Sequence, residues 1–307
     1  MKLKFVLFVI AVQLIAGQVL SQVYKPYVLG AQSTSRFSDV KLLLKDNLEA
    51  QGFNILGEYA PAKESSRWLI VVSSDELVEA VGSVGDLAGF AATLRIGLTE
   101  QNGKILISYT NPFYWGNAYF RENFSQVEKN YAQIDRKLKK AMDQSGMFIG
   151  TAFGSKKGIE AEDLHSYHYM IGMPRMQNTV ELTKYGSFEE ACMSIDNNLR
   201  MGVPGVEEVY SIDVPGKDLK LYGFALTGNT GEAKFLPIID IGDPKHTAFL
   251  PYELLVKGNE VHMLHGRYRI ALSFPDLTMM TFTKIMSTPG DIRDLLKNVT
   301  KEVSGSN

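Results

Sequence analysis

The sequence predicts an α+β protein built from two similar domains, each an antiparallel sheet with helices packed on one face, paired with pseudo-two-fold symmetry. The main observation is a ladder of similar residues that recurs about 151 residues further along the chain. Its members are Phe37/Phe188, Val40/Ala191, Leu44/Ile195, Asn47/Asn198, Leu48/Leu199 and Tyr59/Tyr210. In both copies a segment of helical spacing is followed by β-rich runs and a glycine turn. This distance is far beyond the period of about 20–50 residues of a solenoid, so it indicates duplication of a whole domain.

The chain of 307 residues is long enough for two domains of roughly 100–200 residues each. The predicted parts are a signal peptide (1–21), a first α+β repeat (22–146), a connector (147–176), a second α+β repeat (177–303) and a tail (304–307). The connector is expected to be ordered, because Tyr167, Tyr169 and Met170 are too apolar for a free linker.

The first residues have the layout of a secretory signal peptide. Lys2 and Lys4 precede an apolar run, residues 5–16, which is shorter than the roughly 20 residues that span a bilayer. Cleavage is expected after Ser21, with Gly17 and an uncleaved anchor as the alternatives. No cysteine lies near either site, which argues against a lipid anchor. The sequence therefore predicts a periplasmic or secreted protein with no membrane span after cleavage.

Charge and cysteine content argue against a nucleic-acid-binding protein and against a protein with internal disulfides. The formal net charge is −2 and no block of Lys and Arg stands out, so we expect no nucleic-acid partner. Cys192 is the one cysteine, so the chain has no internal disulfide. It lies on the predicted buried face of a helix, where burial would raise the thiol pKa and keep it unreactive.

Helical periodicity and turn residues place the elements of the first copy. Phe37, Val40, Leu44 and Leu48 share one helix face, and Gly52 ends that helix. The other predicted elements are strands at 27–32, 53–59, 68–73, 93–99 and 104–110, and helices at 75–81 and 124–142. Asn102-Gly103 is a strong hairpin signal between the last two strands.

The second copy repeats this order. We predict strands at 179–183, 205–213, 219–226 and 248–256, and helices at 187–201 and 289–303. The turn at 257–260 leads into a long extended run, residues 261–274.

All five histidines lie in the second half of the chain. His165 and His168 are three residues apart, which on a helix would suit zinc, but surface histidines in a connector are the preferred interpretation. His262 and His265 differ by an odd number within a predicted strand, so they point to opposite faces. The sequence therefore predicts no metal site.

Alternation in the predicted strand 261–274 places His265, Arg267 and Arg269 on one face, while Tyr268, Ile270, Leu272 and Phe274 fill the core. Such a row of positive side chains can hold a carboxylate or phosphate. The alternative is an ordinary solvated strand face. The candidate site for a small anionic ligand consists of His265, Arg267, Arg269, Tyr252 and His246.

Two segments are rich in large apolar side chains. Residues 111–120 carry five aromatics after a strand end, and Met279, Met280, Phe282 and Met286 hold the matching place in the second copy. Both segments could line a pocket, but packing between the copies is the preferred interpretation.

Short motifs accompany this order of elements. They are Gln51-Gly52-Phe53, the strands at 55–59, 69–73 and 93–99, Asn102-Gly103-Lys104 and Asn111-Pro112, with residues 247–252 and Ser273-Phe274-Pro275 in the second copy. The pattern resembles the bacterial family known as domain of unknown function 302. The resemblance implies small α+β domains that tend to pair as dimers, with no agreed activity. Family members often have Pro-Cys in the fourth strand, where this chain has Thr93-Leu94 and Pro251-Tyr252, so thiol chemistry there is excluded.

Two hypotheses for function follow. The first is a non-catalytic small-ligand-binding or interaction protein, a monomer whose repeats pair with each other, with its site in the second copy or between the copies. The alternative is a hydrolase-like or other enzyme with His246, His262 or His265 as acid–base, near Tyr252, Glu253 and the anion anchor Arg269. We found no motif for a catalytic nucleophile, a phosphate loop or a dinucleotide, so no catalytic residue and no cofactor are predicted.

Overall fold

Two antiparallel sheets, one in each half of the chain, form the framework of the protein. The structure is a computed structural model that describes residues 22–301. The predicted signal peptide (1–21), the tail (304–307) and the end of the predicted helix 289–303 lie outside the described residues. Within the described residues, helices and antiparallel sheets together confirm the α+β class.

The first half begins with a short strand and ends in the connector. Its strands are β1 (Val23–Tyr24), β2 (Tyr27–Ser33), β3 (Asn54–Tyr59), β4 (Arg67–Ser73), β5 (Leu94–Gln101), β6 (Lys104–Thr110), β7 (Met147–Phe153) and β8 (Ile159–Glu160). Its α-helices are α1 (Phe37–Ala50), α2 (Asp75–Val84), α3 (Pro112–Phe120), α4 (Phe124–Ser145) and α5 (Ala161–His165).

The second half follows the same order of elements. Its strands are β9 (Val180–Lys184), β10 (Val206–Asp213), β11 (Leu219–Leu226), β12 (Tyr252–Lys257) and β13 (Glu260–Met263). Its helices are α6 (Phe188–Met201), α7 (Glu232–Ile239), α8 (Gly266–Ser273), α9 (Met279–Lys284) and α10 (Thr288–Val299).

The two sheets have matching strand orders. The first runs β3-β4-β5-β6-β2-β7 and the second β10-β11-β12-β13-β9, and the pairs of both are antiparallel. The first sheet also extends beyond its predicted boundary, because β7 pairs with β2. Further along the connector, β8 pairs with β1.

Apolar residues at helical spacing explain helix α1. Val40, Leu44 and Leu48 are buried on one face, as their spacing predicts. Burying a side chain of this size stabilises the fold by about 1.5–3 kcal/mol.

The predicted extended run 261–274 is wrong. Strand β13 ends at Met263, His265 caps the next helix by accepting a hydrogen bond from the Arg267 amide at Nδ1 (3.2 Å), and α8 follows. Almost all of α8 is buried, so its sequence lacks the single apolar stripe by which an amphipathic helix is recognised. The alternation that the sequence does show has no structural counterpart.

The aromatic segment after β6 forms helix α3. Asn111 caps α3 by accepting a hydrogen bond from the Phe113 amide (3.2 Å), and Pro112 stands at the first turn. Tyr114 donates a hydrogen bond to the carbonyl of Leu272 in α8 (2.8 Å). The aromatic side chains of α3 therefore pack against the second half.

Contacts between the halves are reciprocal. The 3-10 helix Asp86–Ala91 packs on β12, and the 3-10 helix Thr247–Phe249 packs on β5. Glycines permit both approaches, since a Cβ on Gly89 would lie 2.5 Å from Leu255 and one on Gly97 would lie 2.9 Å from Thr247. The pseudo-two-fold relation of the halves stays a prediction.

Candidate functional site

The five predicted site residues lie in three different places. His246 lines a cleft between the halves, Tyr252 and Arg269 are buried, and His265 and Arg267 line an open depression. The prediction that His265, Arg267 and Arg269 share one strand face is wrong. These residues lie at helix α8, which directs Arg269 into the interior and Arg267 to the surface.

Arg269 is held inside the protein. It is 2% exposed, and it donates hydrogen bonds to the hydroxyl of Ser273 (2.6 Å) and the carbonyl of Phe249 (2.5 Å). Its guanidinium also lies 4.8 Å from the ring centroid of Trp115 in the first half. These contacts engage Arg269 in packing between α3 and α8.

A buried ion pair lies close to Arg269 and Tyr252. Arg95 of β5 pairs with Glu253 of β12, and the same carboxylate oxygen accepts a hydrogen bond from Tyr210 (2.8 Å). A cavity of only about 10 Å³ is lined by Tyr252, Glu253 and Arg269, which is the volume needed for about one water molecule. This region joins the halves and has no room for a larger ligand.

A cleft of about 490 Å³ lies between β7, the loop after α7 and the loop after α8, with His246 in its wall. The imidazole packs against the rings of Tyr27, Phe153 and Phe274, at centroid distances of 5.1, 5.7 and 4.7 Å. Burial lowers the pKa of His246 below its usual value, so the ring is neutral at pH 7.

The charges around this cleft balance. Lys25 and Lys156 line it together with Asp243 and Asp276, so the lining has no net charge. Asp276 also accepts a hydrogen bond from the Lys156 amide (2.6 Å). The cleft therefore shows no electrostatic preference for an anion.

A second cavity of about 280 Å³ is mainly apolar. We call it the methionine groove, defined by Met170, Met173, Met279, Phe282 and Met286, and Arg267 also lines it. The connector forms one wall of the groove, and α8 and α9 form the other. Tyr167 and Tyr169 hold the connector in place by donating to the carbonyls of Ala271 (3.1 Å) and Leu277 (2.9 Å).

The groove methionines are open to solvent. Met170, Met279 and Met286 are 46%, 51% and 58% exposed. The prediction that the α9 methionines pack between the copies is therefore wrong, since α9 lies beside the connector instead. The signal that sequence reasoning missed is the combination of Met170 and Met173 in the connector with this second methionine cluster.

The methionine groove opens into a polar depression. We call this the arginine depression, defined by His168, Arg175, Asn178, His265 and Arg267. Arg267 and Met173 line both cavities, and none of the residues lining either one is acidic. The described residues form no ion pair with Arg175 or Arg267. The two cavities together thus combine an apolar wall with an uncompensated positive charge.

The structure does not bring together the groups of the histidine-based alternative. Neither ring nitrogen of His246 has a hydrogen-bond partner among the described residues, and Nδ1 is buried. His262 contacts Thr179 and Glu260, and His265 accepts from the Arg267 amide. Tyr252 and Glu253 are partners of none of these histidines within residues 22–301.

The connector histidines are also separated. Helix α5 ends at His165, whose Nε2 lies 2.9 Å from Asn117 Oδ1, whereas His168 Nδ1 lies 3.1 Å from the Ser166 carbonyl. The alternative interpretation, a shared helix face that would suit zinc, is not formed, because the helix ends at His165. Cys192 is half-buried, and burial raises its pKa to about 11, as predicted.

No family model matches the chain, and no curated protein matches it. Among solved structures, the chain is similar to the crystal structure of the uncharacterized conserved protein DUF302 from Bacillus stearothermophilus, with 14% sequence identity and a TM-score of 0.32. The similarity covers 38% of this chain and 98% of that chain. A TM-score this low carries no argument, so membership of the family stays a prediction.

A helix that crosses a bilayer needs about 20 predominantly apolar residues. Within residues 22–301, no helix combines the length and the apolar composition that a membrane span needs.

Proposed function

We propose that this protein is an exported, non-catalytic binding protein for a small amphiphilic anion, namely an aliphatic chain that ends in a carboxylate. The observation that carries the proposal is that the methionine groove and the arginine depression share Arg267 and Met173. A chain lying in the groove places its charged end beside Arg267. Export is inferred from the predicted signal peptide at 1–21.

The groove suits an aliphatic chain. Methionine side chains are unbranched and polarizable, so they adapt to ligands of different shape. Each methylene group that leaves water contributes about 0.8 kcal/mol. Ile270 and Ala271 of α8 continue the apolar wall behind the methionines.

The arginine depression suits a carboxylate. A guanidinium can donate two parallel hydrogen bonds to the two oxygens of one carboxylate. Arg267 and Arg175 are both exposed and face no acidic residue in the lining, so neither needs to give up an ion pair to bind a ligand. Of the five residues that the sequence predicts as ligand-binding, His265 and Arg267 line the arginine depression.

We also propose that the chain is a monomer whose two repeats pair with each other. The reciprocal contacts of Gly89 with Leu255 and of Gly97 with Thr247 support this arrangement. In this view, a pairing that single domains make between molecules takes place inside one chain.

The proposal is tested by titrating the chain from residue 22 onward with hexanoate, octanoate, decanoate and laurate in a calorimeter. We expect one binding site, with affinity rising about fourfold per added methylene until the chain outgrows the groove. The variant Arg267→Ala should weaken decanoate binding by about 10- to 100-fold, because it removes a charge-assisted hydrogen bond. Its binding of decanol should stay within about twofold of the wild-type value.

The matched control is Arg136→Ala, which removes an exposed helical arginine from the first half. It should bind decanoate as the wild-type protein does. Equal losses of decanoate and decanol binding in Arg267→Ala, or no saturable binding of any chain length, would refute the proposed function.

A further inference from the structure

A cluster of possible metal ligands lies on one face of the second sheet, at the pairing of β13 with β9. Glu260 and His262 are two residues apart in β13, so they point to the same face. Glu181 of β9 is the cross-strand neighbour of His262. Two carboxylates and one imidazole therefore converge from adjacent strands.

The distances in this cluster are close to those of a metal site. One ligand atom from each of Glu181, Glu260 and His262 lies within 4.8 Å of the others. His262 Nε2 is 3.1 Å from Glu260 Oε2. Two atoms that bind one zinc ion at about 2.0–2.2 Å in tetrahedral geometry lie roughly 3.3–3.6 Å apart. Only a small adjustment is needed for His262 and Glu260 to share an ion.

The imidazole ring of His262 is held in one orientation by Thr179. His262 is 7% exposed, and its Nδ1 lies 3.1 Å from the hydroxyl oxygen of Thr179. Metal-binding histidines commonly use their second ring nitrogen in this way, which fixes the ring and leaves the other nitrogen for the metal. Here the nitrogen that remains is Nε2, the one that faces Glu260.

Lysines lie near the cluster, but among the described residues none donates a hydrogen bond to Glu260 Oε2. Lys184 donates to Glu260 Oε1 (2.8 Å), which is the oxygen turned away from His262. Lys257 is 4.0 Å from Glu260 Oε2. Lys184 is 55% exposed, so it can move into solvent when a cation binds. Two carboxylates match the charge of one divalent ion.

We propose that Glu181, Glu260 and His262 form a binding site for a divalent transition-metal ion, with zinc as the best fit. Three protein ligands leave one position for water, as in zinc sites that are not closed by a fourth side chain. The ligand types favour zinc over calcium or magnesium, which prefer oxygen ligands alone. This site is separate from the proposed carboxylate site, because it shares no lining residue with either cavity.

The test is a calorimetric titration of the chain from residue 22 onward with zinc chloride in a buffer that does not chelate zinc. We expect one zinc ion per chain. The variant His262→Gln should lower the affinity at least tenfold, and Thr179→Val should lower it about 10- to 100-fold through the orientation of the ring. Cobalt titration should give visible absorption bands of a four-coordinate ion that are lost in His262→Gln.

His165→Gln is the matched control, because it removes a histidine that lies outside the cluster and outside both cavities, and it should bind zinc like the wild-type protein. If His262→Gln fails to fold, as judged by circular dichroism, Glu181→Gln at an exposed position serves instead and should lower the affinity at least tenfold. The absence of zinc binding, or binding that His165→Gln abolishes and the cluster variants do not change, would overturn the proposal.

Discussion

Arg95 and Glu253 hold the same position in their sheets and form a buried ion pair with each other. Each is the second residue of the third strand in its sheet, β5 or β12. Both side chains are almost fully buried, and Tyr210 also donates to Glu253. The pair joins the two halves across their interface.

Removing one partner of this pair should destabilise the protein strongly. We expect Arg95→Met or Glu253→Met to lower the free energy of unfolding by about 3–5 kcal/mol, because each leaves a buried charge uncompensated. The double variant should be more stable than either single variant, since it leaves no charge behind. Urea denaturation followed by circular dichroism measures all three.

The surface pair of Lys139, which is exposed, and Asp135, which is partly buried, provides the control. Breaking it with Lys139→Met should change the free energy of unfolding by about 0–1 kcal/mol. A double variant at Arg95 and Glu253 whose loss equals the sum of the two single losses would contradict the assigned ion pair.

Gly97 should not tolerate a methyl group. A Cβ at this position would lie 2.9 Å from Thr247 Cβ and 3.0 Å from the Ala248 amide nitrogen, across the interface of the halves. We expect Gly97→Ala to cost about 1–3 kcal/mol of unfolding free energy. Gly82→Ala in α2 is the control: its nearest neighbour is 3.9 Å away, so it should stabilise by about 0.5–1 kcal/mol. The midpoint of thermal denaturation should fall in Gly97→Ala and rise in Gly82→Ala. Shifts of the same sign in both variants would contradict the close contact of Gly97 with the second half.

Glu232 should make stability fall with rising pH. Burial raises its pKa to about 7, although hydrogen bonds from the Ala62 amide (2.9 Å) and Tyr59 (2.8 Å) act in the other direction. Between the ordinary pKa of about 4.3 and about 7, the folded state keeps a proton that the unfolded state loses. The stabilisation from the buried, protonated Glu232 is complete below about pH 4.3 and is lost as the pH rises through about 7.

This dependence is measured as the difference in unfolding free energy between the wild-type protein and Glu232→Gln from pH 4 to 8. We expect the wild-type protein to lose about 2–4 kcal/mol relative to the variant over this range. A difference that stays constant with pH would show that the carboxyl of Glu232 is not perturbed.

The first half should not be a stable monomer when it is expressed alone. A fragment of residues 22–153, which includes β7, exposes the apolar surface that the second half covers. We expect it to dimerise or aggregate in size-exclusion chromatography with light scattering. A monomeric fragment with cooperative unfolding would count against pairing between the repeats.

Sequence patterns were sufficient wherever a helix has one apolar face or a turn has a strong signal. Helix α6, predicted at 187–201, is Phe188–Met201 in the structure, and its cap Ser187 accepts a hydrogen bond from the Glu190 amide (3.1 Å). The hairpin at Asn102-Gly103 joins β5 and β6 as predicted. In these places local sequence and tertiary burial favour the same structure.

Sequence patterns were not sufficient where an element is buried on nearly all sides, or where a site is formed by segments that lie far apart in the sequence. Helix α8 is buried on nearly all sides and carries Arg267 and Arg269 among its apolar residues, so it lacks a single apolar stripe and its sequence resembles the alternation of a strand. The methionine groove needs Met170 of the connector beside Met279 of α9, which are more than a hundred positions apart. The sequence shows both methionine clusters, but only the tertiary fold brings these segments together.

The most direct test of the proposed ligand site is a carbon-13 methyl spectrum of methionine-labelled protein, recorded while decanoate is added. We predict that the signals of Met170, Met173, Met279 and Met286 shift together and saturate at one decanoate per chain. The exposed methionines outside the groove, Met147, Met193 and Met201, should keep their positions. Shifts that spread equally over both groups, or that leave the groove methionines unchanged, would contradict the account.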